Sequence, residues 1–133
     1  MDKLNDFKKL IEKASEKSGI HIPEGYKYRY APYTCWKCNK EMVVFKWTNS
    51  LIEGSIDAPP KPRPISLKER YTSTSNETYW ANVCPNCNSV QGDFFLNQEP
   101  DSPFIVLGEV IDDKKSFDDD LKRMSEYYYT HVI

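Results

Sequence analysis

Residues 80–95 read WANVCPNCNSVQGDFF, and the pair at its centre, Cys84 and Cys87, decides how the chain is read. A second pair, Cys35 and Cys38, sits in YTCWKCN at residues 33–39. These are the only cysteines among the 133 residues, so none is left over. Two intervening residues let a tight turn present both sulfurs to one ion at about 2.3 Å, and two such turns complete a tetrahedron. After the second cysteine the backbone must usually pass through a left-handed residue. Asn39 and Asn88 hold those positions, and asparagine is the non-glycine residue that best tolerates that conformation.

Paired CxxC motifs can belong to a disulfide framework, a redox dithiol or a metal site. No apolar run approaches the roughly 20 residues of a membrane span, and the opening MDKLNDFKKL lacks an apolar signal segment. The expectation is a cytoplasmic, reducing compartment with no membrane partner, where a disulfide framework is disfavoured. A thioredoxin-type dithiol needs its CxxC at a helix N-terminus, whereas strand-like segments flank both motifs here. Metal is the favoured reading. Four thiolates suit zinc or a single iron, and a closed all-cysteine site makes zinc the structural choice, with iron the weaker alternative.

YTCWKCN and WANVCPNCN resemble the two knuckles of the zinc-ribbon and rubredoxin group, the second most closely through its CPxC preceded by Val and an aromatic. The resemblance implies Cys35, Cys38, Cys84 and Cys87 as ligands of one ion, and it covers about thirty residues. The chain departs from that group's pattern in two ways. Asn replaces the usual Gly in both knuckles, and 45 residues separate Cys38 from Cys84, against roughly 15–20 in the commonest ribbon spacing.

Around these knuckles the pattern predicts one α+β domain over 1–133, a small antiparallel sheet flanked by an N-terminal and a C-terminal helix. The first helix covers 2–18: Leu4, Phe7, Leu10, Ile11 and Ala14 form one apolar stripe, Asp2 can cap the start, and Gly19 supplies a left-handed exit. GYKYRY alternates Tyr26, Tyr28 and Tyr30 with Lys27 and Arg29, the period of a strand with aromatics on one face. EMVVFKWT, TYWANV, SVQGDFFLN and FIVLGEVI read as strands, the last apolar on both faces and hence buried. Residues 49–77 form a Pro-rich excursion without strand or helix pattern. The second helix covers 116–130, with Phe117, Leu121, Met124, Tyr128 and Val132 on its apolar face. Ser116 and Asp119 fit a capping box, which explains the Asp118–Asp120 run without a divalent ion.

No Ser/His/Asp or Cys/His arrangement and no phosphate-binding glycine loop is present, so the expectation is a non-catalytic protein. His21 and His131 read as structural or surface residues. The remaining signal is recognition. The net charge is −2, with residues 1–70 at +5 and the remainder at −7. Another protein is the favoured partner, the chain being an adaptor, inhibitor or regulatory accessory. The alternative is single-stranded nucleic acid, bound by Tyr26, Lys27, Tyr28, Arg29, Tyr30, Trp36 and Lys37, with Lys61, Arg63, Lys68 and Arg70 as a basic arm. Richness in Lys, Asn, Tyr and Ile fits an AT-rich bacterial or phage genome.

Overall fold

A computed structural model describes residues 2–47, 58–72, 76–92, 96–97 and 99–132. In chain order these form α1 (Lys3–Ser18), β1 (Arg29–Thr34), β2 (Glu41–Lys46), β3 (Leu67–Thr72), β4 (Glu77–Val83), β5 (Val90–Gln91) and α2 (Lys114–Tyr127), which runs on into a π-helical turn, Tyr128–Val132. The class is α+β, with helices flanking the strands. There are two antiparallel sheets, β1–β2 and β3–β4–β5.

α1 follows its sequence signals. Asp2 accepts a hydrogen bond from the Asn5 N–H at 3.2 Å. Gly19 leaves the helix at φ 74, its N–H donating to the Ser15 carbonyl, a conformation without a Cβ penalty for glycine. The stripe buries Phe7, Ile11 and Ala14 in one core cluster with Met42, Val43, Val44 and Phe45 of β2 and Leu121 and Met124 of α2. Among the described residues β1 pairs only with β2, Arg29 opposite Lys46 through Thr34 opposite Glu41, and an edge strand of this kind accommodates Pro32.

The two sheets share no strand pairing among the described residues. The buried amide of Asn82, on β4, joins them. Its Oδ1 accepts from the Phe45 N–H at 2.8 Å and its Nδ2 donates to the Phe45 carbonyl at 3.0 Å. The side chain imitates the peptide group of a neighbouring strand and satisfies both backbone groups of Phe45.

Several sequence expectations need correction. The excursion at 49–77 contains β3; its LKERYT lacks an apolar alternation because it is an edge strand with Leu67 buried and Lys68, Glu69 and Tyr71 exposed. Residues 48–57 and 73–75 lie outside the described part. SVQGDFFLN is a strand only at Val90–Gln91, while Leu96 and Asn97 are helical and 93–95 lie outside the described part. FIVLGEVI is not a strand. It runs through turns into irregular backbone that sinks Phe104 into the core, half-buries Val106 and Leu107, and leaves Ile111 46% exposed. The second helix starts earlier than Ser116, capped by Asp113, whose Oδ1 accepts from the Ser116 N–H at 2.7 Å.

The capping box is therefore replaced by three separate uses of the aspartates. Asp118 and Asp119 pair with Lys114 and Lys115 on the solvent side. Asp120 faces inward and meets Arg29 Nε at 2.7 Å, with side-chain exposures of 11% and 1%. The rest of the guanidinium is also used: Nη1 donates to the Tyr26 carbonyl and Nη2 to the Ile111 carbonyl, while the group lies over the Phe117 ring. Removing one partner from a buried pair leaves the other charge uncompensated. Arg29→Met should therefore lower unfolding free energy by about 3–5 kcal/mol, measured by denaturant titration. Lys115→Ala, which breaks an exposed pair, should leave the midpoint in place, and Arg29→Met with Asp120→Leu should recover only part of the loss, because the Tyr26 and Ile111 carbonyls still lose their donor.

Candidate metal centre

Each knuckle closes the end of a hairpin. β1 leads into Cys35 and β2 leaves after Lys40; β4 leads into Cys84 and β5 leaves after Ser89. The same two backbone bonds shape both turns. Cys35 N–H donates to the Lys40 carbonyl and Asn39 N–H to the Cys35 carbonyl; Cys84 N–H donates to Ser89 and Asn88 N–H to Cys84, all at 2.8–3.0 Å. Asn39 and Asn88 adopt φ 65 and φ 67, the left-handed conformation expected of them. The two knuckles are therefore near copies, and they face one another.

Their four sulfurs lie within 4.8 Å of one another. Cys35 Sγ is 3.5 Å from Cys87 Sγ, and Cys38 Sγ is 3.6 Å from Cys84 Sγ. A tetrahedral ion with metal–sulfur bonds of about 2.3 Å requires sulfur–sulfur edges of about 3.75 Å, so the spacing fits a metal. Disulfide sulfurs, at about 2.05 Å, would be far closer. The four cysteines are positioned to bind a metal ion. Cys35 and Cys84 are buried, Cys38 and Cys87 half-exposed.

The surroundings prepare the thiols unequally. A hydrogen bond from the Ser89 side chain, with help from its backbone, holds the Cys87 thiol down to about 6. The Asn86 side chain lowers Cys38 in the same way. Burial pushes Cys84 up to about 11. Gln91, a residue the cysteine spacing does not reveal, is buried behind the site. Its Nε2 lies 3.4 Å from Cys35 Sγ and 3.0 Å from the Ser89 carbonyl, so it donates toward the sulfur from outside the ligand shell. The only hint in the sequence is the contrast between the knuckles four residues past each second cysteine, where one has Met42 and the other Gln91.

Trp36, between the first two cysteines, stands 66% exposed. Its indole Nε1 nevertheless donates to the Val90 carbonyl at 2.8 Å, fixing the ring against the other knuckle. On the same second knuckle, Asn88 Oδ1 accepts from Arg70 Nη2 at 2.8 Å.

The Tyr/Lys/Arg stretch does not form one exposed face. Tyr28 is buried between Phe45 and Trp47. Its hydroxyl donates to the Pro60 carbonyl, and burial pushes the phenol up to about 12. Arg29 is buried on Asp120. Tyr26 and Tyr30 are half-buried on Phe117. Of the seven residues read as a partner face, Lys27, Trp36 and Lys37 are exposed. Arg63, read as part of a basic arm, lies over the Trp80 ring and donates to the Pro59 carbonyl. His21 is exposed, and His131, also exposed, stacks on Tyr127. No helix among the described residues is long and apolar enough to cross a membrane.

No known protein family, curated protein or solved structure gives a significant match to this chain.

Two outcomes follow for the site. Metal binding must displace the Cys84 proton at neutral pH, so metal affinity should rise with pH. The slope should steepen as pH falls through about 6, where Cys87 also takes up a proton; competition titration with a chromophoric chelator across pH measures it. Asn88→Ala should destabilise the metal-loaded protein by about 1–2 kcal/mol through its left-handed backbone, while Asn88→Gly should be nearly neutral in thermal melts.

Proposed function

We propose that the four cysteines hold one structural zinc ion and that the protein is a non-catalytic recognition module, an adaptor, inhibitor or regulatory accessory. Its partner surface is the knuckle end of the molecule. Trp36 carries this reading. A large aromatic in water normally finds cover in the core, yet this one is held outside by the knuckle backbone and by its bond to Val90. A pre-positioned indole forfeits little conformational freedom on docking, and Trp is favoured at the centres of protein interfaces.

Zinc is favoured over a rubredoxin-like iron because a closed thiolate tetrahedron gives zinc a purely structural role. Four thiolate ligands also suit a reducing, cytoplasmic setting. The employment of Asp118, Asp119 and Asp120 in ion pairs supports a non-catalytic reading of that run.

A second reading, single-stranded nucleic acid, draws on the cations beside Trp36. Lys37 and Lys40 are exposed, and Arg70 reaches the second knuckle, while residues 35–40 and 84–91 contain no carboxylate. A base stacked on the indole with its phosphates on these cations is the usual arrangement of such sites.

Metal analysis of the purified protein should find one zinc per chain, and Cys84→Ser should lose both the metal and the cooperative melt. Docking is tested by Trp fluorescence with single-stranded DNA at low and moderate salt. The protein-docking reading expects no response at either. Quenching that fades as salt rises and is absent in Trp36→Ala would establish the nucleic-acid reading instead.

A further inference from the structure

Beside the first knuckle, between α1 and the turn end of the β1–β2 hairpin, lies a cavity of about 310 Å³. Its size is at the lower end of small-ligand sites, roughly 300–1,000 Å³. Leu10 and Pro103 form an apolar wall, Tyr33 and Tyr128 contribute two phenol rings, and Glu41 and Asp101 supply two carboxylates. Among the described residues no Lys or Arg lines it. The cavity combines an apolar wall, aromatic rings and negative charge.

Among the described residues the Glu41 carboxylate has one ion-pair partner, held from outside the cavity. Its Oε2 is shut off from water and accepts no aligned hydrogen bond. Its partner is Lys17 Nζ, an ion-pair contact at 3.1 Å between side chains that are both about half-exposed. An exposed lysine on a flexible stem is weak competition for a cation held inside the cavity. Tyr128 lies within the field of Glu41, which adds to the upward push that burial gives its phenol. Carboxylate and ring thus share one space, as they do where a cation is held against an aromatic face.

We propose that this cavity binds the cationic end of a short alkyl chain, an alkylammonium or alkylguanidinium group. The stem lies on Leu10 and Pro103, and the charge sits between the Tyr33 and Tyr128 rings and the carboxylates of Glu41 and Asp101. The same chemistry occurs in free amines and in Lys or Arg side chains of a peptide. The site is independent of Trp36 and of the class of partner that docks there.

The test is an amide chemical-shift titration of the zinc-loaded full chain with n-butylguanidinium and n-butylammonium. Neutral n-butylurea is the control, and a blocked arginine (N-acetyl-arginine N-methylamide) is a further ligand. Saturable shifts at the Tyr33, Thr34, Glu41 and Tyr128 amides are expected with the cations at millimolar concentration. Affinity for n-butylurea should be about tenfold lower, and Asp101→Asn, on an exposed turn, should weaken cation binding about tenfold without moving the melting temperature. Saturation by the blocked arginine as well would assign the site to a side chain of a peptide; saturation by the free cations alone would assign it to free amines. Absence of saturable shifts, equal affinity for n-butylurea, or full affinity in Asp101→Asn combined with Glu41→Gln would overturn the proposal.

Discussion

Four sulfurs within 4.8 Å of one another are the condition on which the structure depends. The two sheets share no strand pairing among the described residues, so the usual cooperative ladder between neighbouring strands is missing where they meet. Thiolates at that spacing repel one another without a cation, whereas a bound divalent ion would turn the same crowding into a link between the hairpins. The amide of Asn82 on Phe45 supplies a second, directional link. It needs an acceptor and a donor on one planar group, which Asn provides and Asp does not. A bound metal would hold the hairpins together, and the amide sets how β4 lies on β2.

A buried charge does comparable work on the other side of β1. Arg29 contacts three separate segments through one guanidinium: Asp120 on α2, the Tyr26 carbonyl ahead of the strand, and the Ile111 carbonyl. A hydrophobic residue could fill the same volume but could not satisfy two backbone carbonyls at once. The opposite charges of the two halves of the chain therefore have a structural meaning at one point, where a cation of the first half and an anion of the second meet in the core.

Features dominated by local chemistry were legible in the sequence. The caps of α1 and the left-handed asparagines each need only a few neighbouring residues, and they read correctly, while the two cysteine pairs do converge on one point. What failed depends on distant partners. Arg29 looks like a solvent-facing residue of an alternating strand until Asp120, 91 positions away, is brought beside it. FIVLGEVI has strand composition, yet Phe104 goes inward and Ile111 is needed for its carbonyl. LKERYT lacks strand composition but is drawn into a ladder by β4. Gln91 is invisible because a polar residue after a CxxC turn carries no sign of which sulfur it will meet.

The same knuckle geometry that brings the four cysteines together also determines what the protein shows to solvent. Two residues lie between the cysteines of each knuckle, and the backbone bonds that close the turn leave little choice of direction for them. In the second knuckle those residues are Pro85 and Asn86, both exposed and neither offering a large surface. In the first they are Trp36 and Lys37. An indole at that position is excluded from the core by the turn and then immobilised by Val90 of the opposite knuckle. Its ordering entropy is settled when the knuckles assemble, before any partner arrives. The bond from Trp36 crosses from one knuckle to the other, so separating the knuckles would release the ring as well. Folding and presentation of the surface are in this sense one event.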